Sequence, residues 1–549
     1  MELIQKIVDE SVKDAFGQDI KATVSRPDST FGDYATNIAL QLGKSLKRNP
    51  SEIAEELAVK LREHEEFAEV TVDGPGFINL RLKDKVLKSL VSITPPKDSV
   101  NQAVVIETNN PNPFKDLHIG HAYNCIAADT IASLLETGGS LVHRVSYHGD
   151  IGLHVGKSMW AILKYIEGDA KRLEDMPKGD RAAFLSRMYA EGSKAYAEDE
   201  STKKAIEELA VQSFQLDDPL YREVYEICKS WSFEYLDSTL LRLGNRPTER
   251  QYLESEADSA GVNTVKEHVG DVFEESDGAI IFPGEKHGLH TRVFISSRGT
   301  GLYEARDLGL MQLKNQDFHP TKSYIITGEE QRDYFNVVIK AAEMSLPELK
   351  DVTVNIPTGI VKLSTGKMSS RTGEVINIEW LFEKLEEAAK SRSEKVDSNV
   401  ILGALRYAFL KVRVGSDFIF DIQESISIDG NSGPYLQYAH ARARSILKKQ
   451  GGASPVDLAS DKSLDPAERN MILKMTEYQE VLGRAIQELK PHHICNYLHE
   501  LAQEFNRFYE GSRIIGDERE AVRIEIVSEY AEILRAGLGL LGIPAPDTI

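Results

Sequence analysis

Two histidines separated by two residues, His118 and His121, stand where a short apolar strand gives way to a helix. The strand is predicted at Val104–Ile106, and an alanine-rich helix is predicted to continue from Ala122 until two glycines end it. Free backbone N–H groups at a helix start attract anions, and Gly120 lets a ligand approach the backbone closely. The pattern predicts a phosphate site, although a helix start that merely contains two histidines is the alternative.

A second candidate is the segment Gly366–Gly373, in which two glycines bracket a small, polar and cationic sequence. Such a composition suits a loop that closes over a ligand. Within it, Lys367 can place positive charge on phosphate oxygens that become more negative in a phosphoryl transition state. Taken alone, the segment fits an exposed surface loop better, so its interpretation depends on the histidine motif.

The elements that would position these residues follow from the pattern of apolar residues. From Val104 onward, short apolar strands such as Tyr324–Ile326 alternate with helices, which indicates a parallel α/β sheet. A long acidic stretch at about 160–255 reads as helix and interrupts it. Helical spacing followed by strand-like alternation predicts a small α+β domain at the start of the chain. The predicted domains are 1–95, 98–390 with insertions at about 160–302, and a helical 391–549.

Composition restricts the class of protein. The chain has 549 residues, too many for one hydrophobic core, and a formal charge of −21, so a nucleic-acid partner would need local basic patches. Met1–Ser11 lacks the basic start and apolar run of a signal peptide, and no apolar stretch is long enough to cross a membrane. Three widely separated cysteines predict neither a metal site nor a disulfide framework, which favours the cytoplasm.

The histidine motif and the Lys367 segment together resemble the class I aminoacyl-tRNA synthetases. Flanking sequences resemble the arginyl-specific branch of that family over essentially the whole chain. The segments that carry this resemblance are residues 31–37, 74–79, 107–117, 149–152, 303–307, 328–331, 404–407 and 430–442. The resemblance implies a Rossmann-type catalytic domain with helical insertions, an N-terminal α+β domain that binds tRNA, and an all-α anticodon-binding domain.

The resemblance also implies an activity. Members of this family activate an amino acid, here L-arginine, with ATP accompanied by Mg²⁺, and release pyrophosphate. They then transfer arginine to the 3′ end of tRNA(Arg), and they generally need bound tRNA for the activation step. No protein nucleophile is required, because the carboxylate of the amino acid attacks the α-phosphate. Catalysis then rests on positioning and on charge stabilisation.

Residue roles carried over from the resemblance fall into four groups, none of which holds a metal. Catalysis is assigned to Lys115, His118, His121 and Lys367. Lys115 is included because Ser370 stands where many members have a second loop lysine. ATP binding is assigned to His118, Gly120, His121, Lys367, Met368 and Ser369. Arginine binding is assigned to Glu107, Asn112, Tyr303, Asp307 and Gln331, and tRNA binding to Phe77, Asn79, Arg406, Tyr438 and Arg442.

The chemistry of a guanidinium agrees with this assignment. The group is planar, permanently charged and carries five N–H donors, so its pocket must offer acceptors. Tyr303 and Asp307 are four residues apart and would share one face of a helix, where Asp307 can accept charge-assisted hydrogen bonds. Glu107 and Asn112 would hold the α-amino and carboxylate end of the substrate.

Two other functions remain open at this point. A glutamyl enzyme of the same class would need cationic side chains in place of Tyr303, Asp307 and Gln331. A non-catalytic tRNA-binding relative would have lost its phosphate-handling residues, whereas His118 and Lys367 are present. We expect a monomer in the cytoplasm.

Overall fold

The computed structural model describes residues 1–28, 30–96, 100, 102–364, 376–391, 396–450 and 463–548. Its first elements form the small α+β unit that the apolar spacing predicts. These elements are α1 (Glu2–Phe16), β1 (Val24–Ser25), β2 (Tyr34–Thr36), α2 (Ile38–Leu46), α3 (Pro50–Leu61), β3 (Phe67–Asp73), β4 (Phe77–Leu82) and α4 (Asp84–Ser89). The strands form an antiparallel sheet in the order β1-β2-β4-β3.

The central part of the chain alternates strands and helices. Its elements are β5 (Ala103–Glu107), α5 (Ile119–Thr137), β6 (Leu141–His148), α6 (Leu153–Ile166), α7 (Lys171–Glu174), α8 (Arg181–Glu198), α9 (Glu200–Gln215), α10 (Pro219–Arg242), β7 (Arg250–Leu253), α11 (Glu254–Glu267), β8 (Glu274–Ser276), β9 (Ala279–Phe282), β10 (Arg292–Ile295), α12 (Tyr303–Phe318), β11 (Lys322–Gly328), α13 (Arg332–Ser345), β12 (Thr353–Thr358), β13 (Val361–Leu363) and α14 (Ile378–Lys390).

Five of these strands form a parallel sheet in the order β12-β11-β5-β6-β7. The chain builds the sheet outward from β5 to β7, then returns to the other side of β5 with β11 and β12. This reversal places a topological switch point between β5 and β11, where a crevice forms at the carboxyl ends of the strands. The parallel α/β prediction is confirmed.

The insertions differ in part from the helical prediction for residues 160–255. Helices α6 to α10 fill most of that stretch, but β7 joins the sheet within it. Only Tyr252 of its four residues is buried, so β7 gives no apolar run that a sequence pattern would reveal. Strands β8, β9 and β10 form a separate small antiparallel sheet before α12.

The C-terminal part is helical, apart from one three-residue strand. Its elements are α15 (Ser398–Leu410), β14 (Phe418–Phe420), α16 (Ile422–Ser425), α17 (Gly433–Lys449), α18 (Pro466–Met475), α19 (Tyr478–Glu488), α20 (His492–Gly511) and α21 (Glu520–Leu540). Strand β14 pairs with β13 in parallel and so ties this part to the central one. A single apolar cluster runs from Ile4 of α1 through Tyr123 of α5 to Leu538 of α21.

Candidate active site

A cavity of about 940 Å³ opens at the switch point of the parallel sheet. Glu107, Tyr147 and Gly328, at or next to the carboxyl ends of β5, β6 and β11, line it, together with the first turn of α5 and the start of α12. Because the strands run in one direction, their carboxyl ends meet at one edge, where open α/β sheets bind ligands. This cavity is therefore the candidate active site.

The first turn of α5 is capped by the two histidines. His118 Nδ1 accepts a hydrogen bond from the backbone N–H of His121 at 3.3 Å, and His121 Nδ1 accepts one from the backbone N–H of His118 at 3.5 Å. The two rings stack with their centroids 3.5 Å apart. A ring nitrogen that accepts a hydrogen bond carries no proton, so each neutral ring keeps its proton on Nε2. Both rings can therefore offer an Nε2–H donor to a ligand.

These imidazoles are uncharged near neutral pH. Burial lowers the pKa of His118 to about 4, and the positive charge of Lys115 adds to that shift. Burial also lowers the pKa of His121 well below its usual range, with His118 and Lys115 contributing. The backbone N–H groups of Ile119 and His121 already donate, to the Ile376 carbonyl and to His118 Nδ1. Attraction for an anion thus comes from the dipole of α5 and the Gly120 N–H, while the histidines act as neutral donors.

Lys115 brings an unpaired positive charge to the cavity. Its side chain lines the wall, and its ammonium has no hydrogen-bond or ion-pair partner among the described residues. Burial lowers the pKa of Lys115, and the negative charge of Glu254 opposes that shift. An ammonium in this position is suited to a phosphate oxygen. The other residues assigned to phosphates, Lys367, Met368 and Ser369, lie outside the described part of the chain.

The residues assigned to the guanidinium of arginine come together at the cavity. Helix α12 begins at Tyr303, so Tyr303 and Asp307 share one helix face as predicted, and both line the cavity. Gln331 ends a short 3₁₀ turn after β11 and lines it as well. Asp307 Oδ2 accepts a hydrogen bond from the hydroxyl of Tyr334 at 2.5 Å.

Asp307 has no ion-pair partner in the described part of the chain. Burial raises the pKa of Asp307 to about 7, and the carboxylates of Glu107 and Glu254 add to the shift. Burial likewise raises the pKa of Glu254 to about 7, although Arg306 Nη1 donates to it at 3.1 Å. Asp307, a buried carboxylate with no cation against it among the described residues, is suited to a cationic ligand.

Glu107 and Asn112, assigned to the α-amino and carboxylate end, flank the turn after β5 and line the cavity. Glu107 is buried, and its oxygens accept hydrogen bonds from Lys314 Nζ at 2.5 Å and Asn110 Nδ2 at 2.6 Å. Asn112 Oδ1 accepts one from the Gly149 N–H at 2.9 Å. These bonds fix both side chains in place, while each oxygen keeps a second lone pair for a ligand.

Four polar residues of this region were not identified from the sequence. Tyr147 lies at the end of β6, a position that the carboxyl-edge rule for parallel sheets would have indicated. Glu254 directly follows β7, the strand that the helical prediction missed. Lys314 and Tyr334 reach Glu107 and Asp307 only through tertiary packing, which no local pattern reports.

The residues assigned to tRNA lie in two separate regions. On β4, Phe77 is 42% exposed, whereas Asn79 is 7% exposed and offers little surface. On α17, the Arg442 guanidinium carbon lies 5.0 Å from the ring centroid of Tyr438 and 5.7 Å from that of Tyr509. Both of these tyrosines are exposed, so α17 and α20 present a cationic group between two aromatic rings.

Arg406 does not lie on the surface, which contradicts the expectation that it contacts tRNA. Its side chain is fully buried. The guanidinium donates to the Leu541 carbonyl at 2.7 Å, the Leu243 carbonyl at 2.8 Å and Asp129 Oδ2 at 3.2 Å. Neighbouring cations in the sequence suggested a basic patch, but a helix carries its residues on all sides, and Arg406 faces the interior.

The described part of the chain offers neither a membrane-spanning helix nor a cluster of metal ligands. Within the described ranges, no helix combines the length and apolar character needed to cross a bilayer. The same residues contain no group of three or more histidine, cysteine or acidic side chains arranged to hold a metal ion.

Comparison with known proteins bears on the identity of this site. The sequence profile described as the class I (R) tRNA synthetase catalytic domain matches residues 85–422, more than half of the chain. The chain belongs to the class I arginyl-tRNA synthetases. The profile of the arginyl-tRNA synthetase N-terminal domain matches residues 2–82, and that of the DALR anticodon-binding domain matches residues 436–549. Class I membership implies the use of ATP.

Individual arginyl-tRNA synthetases match over nearly their whole length. The arginine–tRNA ligase of a Picosynechococcus species is 30% identical and covers 99% of this chain and 98% of its own. That of Phocaeicola vulgatus is 28% identical over 98% of each chain. The arginyl-tRNA synthetase structure from Thermus thermophilus matches the fold with a TM-score of 0.78 over 100% of both chains, at 24% identity. The glutamyl and non-catalytic alternatives are not favoured.

Proposed function

We propose that this chain is an arginine–tRNA ligase. It activates L-arginine with ATP to arginyl-adenylate and pyrophosphate, then transfers arginine to the 3′ end of tRNA(Arg). One observation carries the proposal: a helix N-terminus with two neutral histidine donors lines the same cavity as Asp307, a carboxylate that no cation pairs within the described ranges. The first feature suits a triphosphate, and the second suits a guanidinium.

In the activation step, a carboxylate oxygen of arginine attacks the α-phosphorus of ATP, and the bond to pyrophosphate breaks. The protein contributes positioning and charge stabilisation rather than a nucleophile. His118 and His121 donate from Nε2 to phosphate oxygens, and Lys115 places its ammonium on oxygens that gain charge. On the sequence alone, we assign the remaining phosphate contacts to Lys367, Met368 and Ser369.

We propose that ATP enters with Mg²⁺ bound to its phosphates. The donors present fit this arrangement better than a protein cage, because Glu107 and Glu254 are already paired with Lys314 and Arg306. Mg²⁺ keeps several waters and commonly binds substrate phosphates with few protein ligands. When bound, the ion neutralises part of the phosphate charge.

Arginine is placed by the five residues assigned to it. Its α-amino group donates to Glu107, and Asn112 orients the carboxylate end. Its guanidinium donates to Asp307, whose Oδ1 is not taken by Tyr334. Tyr303 and Gln331 complete the pocket wall. The held orientation of Glu107 and the hydrogen bond from Tyr334 support this placement, because preorganised acceptors lose little freedom when the ligand binds.

tRNA is proposed to bind both ends of the chain, through residues 1–95 and the anticodon-binding residues 391–549, around the catalytic part at 98–390. Phe77 is exposed enough to stack on an unpaired base, and Asn79 lies beside it on the same strand. Tyr438 and Arg442 form a surface suited to stacking and hydrogen bonding with anticodon bases. We further propose a monomer in the cytoplasm.

The test is arginine-dependent ATP–pyrophosphate exchange and arginyl-tRNA formation by the purified full-length chain. Exchange is measured with and without tRNA, and with each standard amino acid in turn. Arginine alone should support exchange, and tRNA(Arg) should accept it. Exchange that depends on glutamate instead, or none with any amino acid in the presence of tRNA, would overturn the proposal.

A further inference from the structure

The wall of the cavity contains a hydroxyl with nothing to bind. Among the described residues that line the cavity, two buried side-chain atoms lack a hydrogen-bond partner, Tyr147 Oη and Arg292 Nε. Arg292 still has a partner through Nη1, which donates to Glu304 at 3.1 Å. The hydroxyl of Tyr147 is the only polar atom of its side chain, and it remains unsatisfied.

The sheet holds Tyr147 in place. Its backbone N–H donates to Asn110 Oδ1 at 2.9 Å, on the turn after β5, and it pairs with Tyr252 of β7. Its backbone is thus fixed from both neighbouring strands. The side chain of Tyr147 therefore starts from a defined position at the carboxyl edge of the sheet.

The surroundings of this hydroxyl indicate the charge of its missing partner. Burial raises the pKa of Tyr147 well above its usual range, and the negative charges of Asp307 and Glu254 are the next contributors. The positive charge of Arg306 opposes this shift in pKa but acts more weakly than either carboxylate, and Glu107 acts more weakly still. The hydroxyl therefore lies in a field that attracts a cation, nearer in effect to Asp307 than to Glu107.

A buried hydroxyl without a partner is costly, and a ligand that supplies one removes that cost. A guanidinium spreads its five N–H donors over a plane, so it can bind a carboxylate with one edge and a neutral oxygen with another. The ammonium of lysine is a compact point charge and lacks this spread. A neutral acceptor beside Asp307 therefore favours a guanidinium over an ammonium.

We infer that Tyr147 is a further specificity-determining residue, whose hydroxyl oxygen accepts a hydrogen bond from the guanidinium of bound arginine beside Asp307. This inference rests on the proposed function, because it takes arginine as the ligand of the cavity. It adds a neutral acceptor from the sheet to the acceptors Asp307 on α12 and Gln331 in the turn after β11.

The experiment compares Tyr147→Phe with a matched control, Tyr123→Phe, in the full-length chain. The hydroxyl of Tyr123 is also buried and lacks a partner in the described ranges, but Tyr123 does not line the cavity. Tyr147→Phe should weaken arginine binding by about 10- to 100-fold, the range for a lost hydrogen bond to a charged group, in calorimetry and in pyrophosphate exchange. Tyr123→Phe should bind arginine normally, and both variants should bind ATP normally.

A second ligand identifies which end of arginine Tyr147 contacts. The inhibitor 5-guanidinopentanoate keeps the guanidinium but lacks the α-amino group, so Tyr147→Phe should weaken its inhibition by a similar factor. A loss seen with arginine but not with this analogue would overturn the guanidinium contact. Normal arginine affinity in Tyr147→Phe, beside an active unaltered chain, would overturn the inference alone. An unaltered chain without arginine-dependent exchange would overturn the proposed function and this inference with it.

Discussion

At Asp307, burial favours the protonated carboxyl group, whereas the proposed function needs the charged carboxylate. Burial raises the pKa of Asp307 to about 7, whereas a guanidinium requires the ionised form of the carboxyl group. Protonation on lowering the pH through this pKa removes the binding form. We predict that the dissociation constant for arginine rises as the pH falls from 8 to 6, by up to about tenfold per pH unit below the pKa. Titration calorimetry across this range measures it.

Asp307→Asn is the control for this pH dependence, because it keeps the shape and removes the titration. At pH 8 it should weaken arginine binding by roughly 2–5 kcal/mol and leave ATP affinity nearly unchanged. Glu254 titrates in the same range, so the slope that remains in the variant reports that residue. A slope as steep as in the unaltered chain would show that Asp307 does not cause the pH dependence.

Lys115 should act on the transition state more than on ground-state binding. Its ammonium, which pairs with no described residue, meets charge that grows on the phosphates during the reaction. Lys115→Ala should therefore lower kcat more than it raises KM for arginine. On sequence grounds, the same split is expected for Lys367→Ala. Steady-state pyrophosphate exchange measures both parameters. Lys384→Ala, on the exposed face of α14, is the matched control. An effect of Lys115→Ala on KM alone would contradict the role assigned to Lys115.

Some residues of the site were predictable from the sequence, and others were not. Tyr303 and Asp307 were assigned from the family resemblance, and their spacing of four correctly predicted that they share one face of a helix. Lys314 and Tyr334 were not, since they meet Glu107 and Asp307 through contacts between elements far apart in the chain. The prediction that Arg406 contacts tRNA was wrong for a related reason, because residue type does not reveal which side of a helix faces the core.

In helix α5, the imidazole of His118 both caps the helix start and is proposed to contact a phosphate. Asparagine is a good N-cap residue, whereas alanine is not and costs about 1 kcal/mol. We predict that His118→Asn keeps the slow hydrogen exchange of the amides in the first turn of α5, while His118→Ala speeds it about fivefold. Both should lose most pyrophosphate exchange. Normal activity in His118→Asn would limit this histidine to capping.

The strands differ in how well the local sequence pattern predicts them. Strands β5 and β11 were predicted because buried parallel strands are continuous apolar runs. The edge strand β7 has one buried residue and no such run, so it was assigned to helix. The hairpin strands β8 and β9 are largely exposed or half-buried, and they likewise carry no apolar signal.

The stability of the whole molecule should depend far more on Arg406 than on Arg442, although both lie in the C-terminal helices. Arg406→Ala leaves the buried Asp129 with one ion-pair partner among the described residues, Arg144, and breaking a buried pair of this kind costs about 3–5 kcal/mol. Arg442 is half-buried and donates to Asn506 Oδ1 at 3.2 Å, so Arg442→Ala should cost less, about 1 kcal/mol. Chemical denaturation of the two variants under identical conditions measures the difference, and equal stabilities would contradict the structural role of Arg406.

The same two variants distinguish an effect on stability from an effect on tRNA binding. Arg442→Ala should weaken tRNA binding and reduce the dependence of affinity on salt, because the proposed interface loses one cationic group. Arg406→Ala, studied at a temperature where it remains folded, should leave the salt dependence unchanged because its guanidinium is buried. Binding titrations over a series of salt concentrations measure this. A changed slope in Arg406→Ala would mean that it reaches tRNA after all.

The position of Arg406 limits how the helical part can be exchanged between relatives. Its guanidinium joins Asp129 and Thr130 of α5, the Leu243 carbonyl after α10 and the Leu541 carbonyl after α21. A graft of residues 391–549 onto another catalytic part would bring this buried cation without its carboxylate. It would also cut the apolar cluster that runs from α1 to α21. A chimaera joined at this sequence boundary should therefore fold only when the acceptor α5 carries the matching acid.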